Sequence, residues 1–450
     1  MSDTRRLDWC VVGGGMLGLT VAHRLSQAGQ NVTLVEAADR LGGLADAWTI
    51  GDVTWDRHYH VTLTSDRHMR GLMGEIGLDD SLVWQTTNSN FYTNGRFHPL
   101  NNSVDFLRFP PLNLIDKFRL GATIMYASTI KDSRPLESIS LESWLLKLSG
   151  RNTFEKIWRP LVRAKLGDNY KKASAAYIWT VINRFYGARE KGASKKELFG
   201  YVEGGYDRIV NRLEDVLTSS AVRIQKGTPV ERIARIGGKF RVKTTAGESN
   251  FDRVVFTGAS ALATKVCEGL SGEERTALGR TLYQGIVCAS VLLKKPLRGA
   301  YITYIADETI PYTAVIEMTA IVDPKKLGGR TLVYLPAYVP SDDPLFEVSD
   351  ADVETRFTEA LLRMHPELQR SDIEAFRISR VRHVLAITTL NYTANLPPIK
   401  TSVPGLFVLN AAHIVNASLN VNDTIKLANE RMPLLLASLE DDSAPLAGAA

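Results

Sequence analysis

The stretch Asp8-Trp9-Cys10-Val11-Val12-Gly13-Gly14-Gly15-Met16-Leu17-Gly18 decides the fold. A short apolar run of strand character ends in glycines, and residues of helical period follow at Leu19, Ala22, Leu25 and Ala28. Gly29 stops that helix, and Asn31-Val32-Thr33-Leu34-Val35 reads as a second strand ending on Glu36, the whole unit taking about 30 residues. The spacing Gly13-x-Gly15-x-x-Gly18 has a physical purpose at each glycine. Gly13 makes the tight turn, Gly15 lets a pyrophosphate approach the backbone, and Gly18 lets helix and strand pack closely, with the phosphates on the helix N-terminus. Glu36 is placed to accept ribose hydroxyls, which disfavours a 2′-phosphate but leaves NAD and FAD both open.

Around this unit the composition is that of an ordinary globular chain. Its 450 residues carry 54 Lys+Arg against 49 Asp+Glu, a net charge of +5, with 44% hydrophobic residues, which excludes disorder and fibrous repeats. The length predicts two or three structural units with a substantial core. Like charges do not cluster into long runs, so no nucleic-acid footprint is expected, while an anionic substrate or membrane surface stays open. Cys10, Cys267 and Cys288 are scattered and odd in number, which points to a reducing compartment. The residues after Met1 lack a secretory pattern, and no apolar window approaches the roughly 18 residues a membrane span needs, so a cytoplasmic protein without a transmembrane segment is expected.

The continuation Glu36-Ala37-Ala38-Asp39-Arg40-Leu41-Gly42-Gly43 resembles the acid, arginine and double-glycine run of flavoproteins in the amine oxidase, protoporphyrinogen oxidase and phytoene desaturase superfamily. The resemblance implies FAD, with contacts from Gly13, Gly15, Met16, Leu17 and Gly18 in the first turn. It further implies contacts from Glu36, Ala37, Arg40, Gly42, Gly43 and Leu44 after the second strand. Physically, Arg40 would offer a cation to the pyrophosphate, and Gly42-Gly43 would let the backbone approach the ribityl chain and ring system. No cysteine follows Cys288, so attachment through a C-terminal cysteine is excluded and the cofactor is expected to be non-covalent.

Later segments resemble the same superfamily. Val202-Glu203-Gly204-Gly205-Tyr206 reads as the glycine-pair entry to a long helix, followed by short strands near 222–224, 228–233, 239–244 and 253–258. The resemblance places the backbone of Val230 against the adenine. The last return is the strand Val403–Asn410 and a helix from about Thr424 to Leu439, with Asp423 as its N-cap. Asn410, Asp423, Thr424 and Ile425 would then face the flavin, the helix N-terminus supporting negative charge on it. Asn410 stands where the superfamily usually has an aspartate. The implied fold is α/β, a Rossmann-like FAD-binding domain with an interleaved α+β substrate domain made of an antiparallel sheet and a helical cap. The expected boundaries are 1–65, 200–270 and 385–440 for the first domain, 66–199 and 271–384 for the second, and a flexible tail at 441–450.

Trp55-Asp56-Arg57-His58-Tyr59-His60-Val61-Thr62 follows the double glycine closely enough to lie beside a flavin. On a strand, His58 and His60 would share one face. Three readings compete: metal ligands, disfavoured because no partner has metal-site spacing; packed structural histidines; or active-site groups, His60 above all, handling a proton near neutral pH. Lys294 or Lys295 is a candidate for a lysine near the flavin, though adjacent strand residues point to opposite faces and at most one can serve. His60-Val61-Thr62-Leu63-Thr64-Ser65-Asp66, Thr93–Asn101 and Asn420–Ile425 also resemble UDP-galactopyranose mutase, implying as an alternative a reaction on a nucleotide sugar without net redox change. In the cap, Arg159, Arg163 and Lys165 could clamp a phosphate or carboxylate while Trp179 or Tyr186 stacks on a ring, or they could be solvated faces of packed helices. Phe106–Leu120 reads as ordinary packing, with peripheral membrane contact as the alternative. The expected activity is hydride transfer from a small organic substrate to the flavin; the substrate and the oligomeric state cannot be read from the chain.

Overall fold

A computed structural model describes residues 6–101, 103–187, 198–415 and 420–441. The strand Asp8–Val12 sits in the middle of a five-stranded parallel sheet, ordered Arg223–Gln225, Asn31–Val35, Asp8–Val12, Arg253–Phe256 and Leu406–Val408. It is covered on both faces, which is why it reads as a continuous apolar run rather than an alternating one. From this strand the chain goes first to Asn31–Val35 on one side and returns much later to Arg253–Phe256 on the other. Such a reversal leaves a crevice at the carboxyl ends of the strands. The loops that begin at Gly13, Thr257 and Leu409 all emerge there.

Gly13 turns with φ +110°, and a Cβ on it would stand 2.4 Å from the Thr257 hydroxyl, whose oxygen donates to the Val12 carbonyl. Gly18 lies on the helix Met16–Gln27, and a Cβ there would fall 1.8 Å from the Gly13 carbonyl oxygen. These two contacts hold the helix against the strand. The helix has Gly15 as its N-cap, no capping side chain and no acid in its first turn, so its first amides have no side-chain acceptor.

A second sheet has seven strands, ordered Ile373–Ala386, Tyr283–Leu293, Thr331–Pro340, Ala314–Glu317, Ala300–Ile305, Asn88–Thr93 and Arg96–Pro99. Neighbours are antiparallel except for the pair Ala300–Ile305 and Asn88–Thr93. All of Tyr283–Leu293 is buried, with Ile286, Cys288 and Leu292 on one face and Val287, Ala289, Val291 and Leu293 against Val353, Phe357 and Leu361 on the other. The helix Asp350–Met364 supplies that second cover, started by Ser349, whose hydroxyl accepts from the Asp352 amide. The antiparallel sheet expected for the substrate domain is present, with one parallel pair in it.

The segment 66–199 contributes strands as well as the helices of the cap. Asn88–Thr93 and Arg96–Pro99 form a hairpin whose turn, Asn94 at φ 51° and Gly95 at φ 69°, has the positive φ pair such a two-residue loop requires. The helices Leu114–Thr129, Leu141–Ser149, Arg159–Leu166 and Ala175–Gly187 form the cap, packed around Trp144, Phe154, Trp158 and Tyr170. Phe154–Trp158 is a π-helical turn. Two further expectations are corrected. His58 and His60 are not on a strand, because Val53–Asp56 ends before them. The C-terminal helix runs Val421–Asp441, and its cap is Asn420, whose side-chain oxygen accepts from the Asp423 amide, so Asp423 sits inside the first turn. The expected tail from residue 442 onward lies outside the described residues. Among the described residues no helix is long and apolar enough to cross a membrane.

Candidate active site

One cavity of about 1030 Å³ begins at the crevice of the parallel sheet and continues under the helical cap. Its inner end is lined by Gly15, Met16, Leu17, Gly42, Leu44, Gly258, Asn410 and Thr424, drawn from stretches far apart in sequence. Its outer end is lined by Ile124, Ile157, Leu161, Ile178, Val181 and Ile182, all from the cap. Between the two lie His58, Tyr59, His60, Lys165, Tyr301 and Tyr338.

The inner end has the form a dinucleotide needs. A Cβ on Gly15 would meet nothing closer than 4.0 Å, so the space in front of that backbone is open. Gly42 turns at φ +107° and Gly43 at φ +60°, where a Cβ would come within 3.1 Å of Gly15 Cα. Glu36 accepts from the Gly14 amide at 2.5 Å and the Ala38 amide at 2.8 Å, so its carboxylate fixes the turn that carries it. The Thr228 amide donates to the Glu36 carbonyl, which brings the approach to Val230 beside this acid.

Other anticipated contacts are placed differently. Arg40 donates to Asp46 at 2.8 Å and to Asp207 at 2.5 Å, so its guanidinium is already shared by two carboxylates. Asn410 accepts from the Ala412 amide at 3.0 Å and donates to Ser260 at 3.1 Å, so its side chain braces the loop. Ile425 is core, and Gly13, Gly18, Glu36, Ala37, Arg40, Gly43, Val230 and Asp423 do not line the cavity.

His58 Nδ1 is 3.3 Å from the Leu44 carbonyl and must donate to it, leaving Nε2 a buried acceptor without a partner. Burial pushes its pKa down to about 3, so the ring is neutral. Such an orphaned atom on the cavity wall expects a donor from whatever fills it. His60 Nδ1 lies 3.6 Å from Asp56 Oδ2 and has no other partner, while its ring lies tilted by 35° against Tyr206 with centroids 4.7 Å apart. Asp56 accepts from the Tyr206 amide at 2.7 Å through its other oxygen, and burial raises its pKa. No group of three metal-ligating side chains occurs among the described residues.

Opposite these histidines, the Lys165 ammonium donates to Tyr59 at 2.5 Å and to Tyr338 at 3.1 Å, and stands 4.5 and 5.1 Å from the centres of the two rings. The phenols are themselves 3.1 Å apart, and burial raises the Tyr59 pKa well above the usual range. No carboxylate among the described residues pairs with Lys165, and none lines the cavity. Lys165 stands between two tyrosines rather than on a solvated basic face of the cap, a contact no local pattern shows, since Tyr338 is 279 residues from Tyr59.

The other cap and lysine candidates stand elsewhere. Arg159 pairs with Glu155 and Glu308, and Arg163 with Asp168 and Glu308. Trp179 donates to the Ile130 carbonyl, and the side chain of Tyr186 lies outside the described residues. Lys294 donates to the Ser371 carbonyl and Lys295 pairs with Asp372 at the far end of their strand, so neither reaches the cavity.

This fold and crevice define a dinucleotide-binding scaffold with a separate chamber under the cap. The chain belongs to the flavin containing amine oxidoreductase family, which it matches over residues 17–413. Coproporphyrinogen III oxidase of Mycobacterium tuberculosis is 40% identical over 97 residues, 21% of this chain and 22% of that protein, so the similarity spans about a fifth of the relative. A crystal structure from Exiguobacterium sp. 255-15, assigned as a protoporphyrinogen oxidase, superposes with a TM-score of 0.76 at 19% identity, covering 97% of this chain and 99% of that one. Reduced UDP-galactopyranose mutase gives 0.71 at 14% identity over 98% and 97%. Both structures share the fold.

Proposed function

We propose that the protein is an FAD-dependent dehydrogenase or oxidase of an apolar substrate that carries no positive charge, an acidic group on that substrate being met by Lys165. The observation that carries this reading is the position of the Lys165 ammonium between the rings of Tyr59 and Tyr338. A cationic amine would have to enter beside a fixed cation, in a cavity with no carboxylate among its described lining residues, whereas a carboxylate or a neutral apolar group would not. The aliphatic cap wall favours a hydrophobic body. Of the three cap cations expected to clamp an anion, Arg159 and Arg163 are paired with Glu155, Asp168 and Glu308, and Lys165 lines the cavity.

FAD, held without a covalent bond, supplies a two-electron acceptor. The residues that would hold it are the first-turn amides at Met16 and Leu17 for the pyrophosphate, Glu36 for the ribose, and Gly42, Leu44 and Thr424 beside the ring system. The cap excludes water and the Tyr59–Lys165–Tyr338 group orients the substrate. His60 takes the proton that the substrate loses from the atom next to its oxidised carbon.

The test is anaerobic bleaching of the yellow cofactor by a panel of neutral apolar compounds, their carboxylated counterparts and alkyl amines. Bleaching by the first two sets and not the third is expected; bleaching by amines alone would overturn the reading. In Lys165→Met the KM for a carboxylated substrate should rise roughly 10- to 100-fold while that for a neutral one changes little, as expected for loss of one charge-assisted contact. An equal loss on both substrates would remove Lys165 from recognition.

A further inference from the structure

The cap helix Leu114–Thr129 presents the wrong face to solvent for a packed helix. Leu114 is 77% exposed, Ile115 71%, Phe118 76%, Met125 66% and Tyr126 51%. On a helix of 3.6 residues per turn these positions share one stripe, about 24 Å long with the whole helix. The opposite face packs inward through Leu120, Thr123 and Ala127, so the expectation of ordinary packing for Phe106–Leu120 fails at Leu114, Ile115 and Phe118. A contiguous exposed apolar face of this kind marks a binding surface.

The geometry points to this face as a docking surface for an anionic lipid bilayer, with the cavity opening into the lipid at Met125. Two observations select that occupant. Charge is the first: exposed Arg108 precedes the helix and exposed Lys131 follows it, while Arg119 on the helix donates to the Leu148 and Lys147 carbonyls. The helix's one acid, Asp116, is buried, capped onto Asn113 and bonded to Asn152. Cations flanking an apolar stripe suit acidic headgroups around acyl chains. Two copies of this chain meeting through the same stripe would instead bring like charges together. Continuity with the cavity is the second. Leu120, Gly121 and Ile124 line it from the inner side of the helix, and Met125 both lines it and is exposed. An apolar substrate dissolved in the bilayer could therefore reach the cavity without crossing water.

Flotation of the holoprotein with vesicles of phosphatidylcholine, with and without phosphatidylglycerol, tests this. Wild type should float with the phosphatidylglycerol vesicles, and added salt should release it. Ile115→Ser with Phe118→Ser should cut partitioning more than about tenfold, from the apolar area no longer buried in lipid. Lys131→Glu should weaken it about fivefold or more at low salt. Both substitutions lie on exposed positions, so yellow colour and thermal midpoint should match wild type. Absence of flotation, flotation indifferent to phosphatidylglycerol and salt, or equal flotation of the double variant would each overturn the proposal. So would a wild-type dimer that fails to float and that the double variant converts to monomer, since the stripe would then be covered by a second copy.

Discussion

Gly18→Ala should give a colourless and poorly stable protein, while Gly15→Ala, three residues away, should give a stable one that merely holds its flavin weakly. The difference lies in what each new methyl would touch. At Gly18 the added carbon would fall 1.8 Å from the Gly13 carbonyl oxygen, an atom that cannot swing away because it belongs to the strand–helix turn. The helix Met16–Gln27 would have to move off the sheet, losing contacts of Leu19, Ala22 and Leu25 with the core and displacing its first-turn amides. Overpacking of this kind costs about 1–3 kcal/mol even where side chains can yield, and more against backbone. At Gly15 the backbone has φ −72° and open space in front of it, so alanine is tolerated by the chain. That open space is the cavity wall, and a methyl there should lower cofactor affinity roughly 10- to 100-fold. The measurements are thermal midpoint of the apoprotein and cofactor content after dialysis. Wild-type stability in Gly18→Ala, or full flavin retention in Gly15→Ala, would show that the turn does not work as described.

That contrast also marks how much was legible in the chain. Gly13, Gly15 and Gly18 carry their meaning locally, because turn, open approach and close packing are all decided within about 30 residues. The strands at Asn31–Val35 and Arg253–Phe256 were equally readable from apolar runs between turn residues. The chamber was not. Tyr59, Lys165 and Tyr338 come from a loop, a cap helix and a sheet strand, and only the seven-stranded sheet brings them to one point. Lys294 was misjudged for the same reason: its strand is correct, but the end that carries it faces Ser371 and Asp372. The arginines of the cap looked like a clamp because their acidic partners are partly remote in sequence, as Glu308 is from Arg163. Local pattern shows what a residue can do, and topology decides whom it meets.

Asp56→Asn should lower kcat about 10²- to 10⁴-fold while leaving flavin content unchanged, the largest loss expected from a side chain that does not line the cavity. The carboxylate is held by the Tyr206 amide through Oδ1 and faces His60 Nδ1 through Oδ2. With an acceptor there, His60 keeps its proton on Nδ1 and presents a bare Nε2, the form that can take a proton from substrate. An asparagine can keep the Tyr206 bond with its oxygen, but its NH₂ then faces Nδ1, and the imidazole must carry its proton on Nε2 instead. Stability should move the other way. Burial raises the folded Asp56 pKa, so the folded state binds the proton more tightly than the unfolded chain, and this group's contribution to stability shrinks as pH rises from the ordinary carboxylate range through the raised value. Asparagine removes that dependence, so at alkaline pH the variant should melt no lower than wild type. Activity of the wild type should fall on acidification, as Asp56 takes up its proton above the ordinary carboxylate pKa, and the acidic limb should disappear in the variant. A purely structural Asp56 would instead lower midpoint and kcat together and leave the pH profile in place.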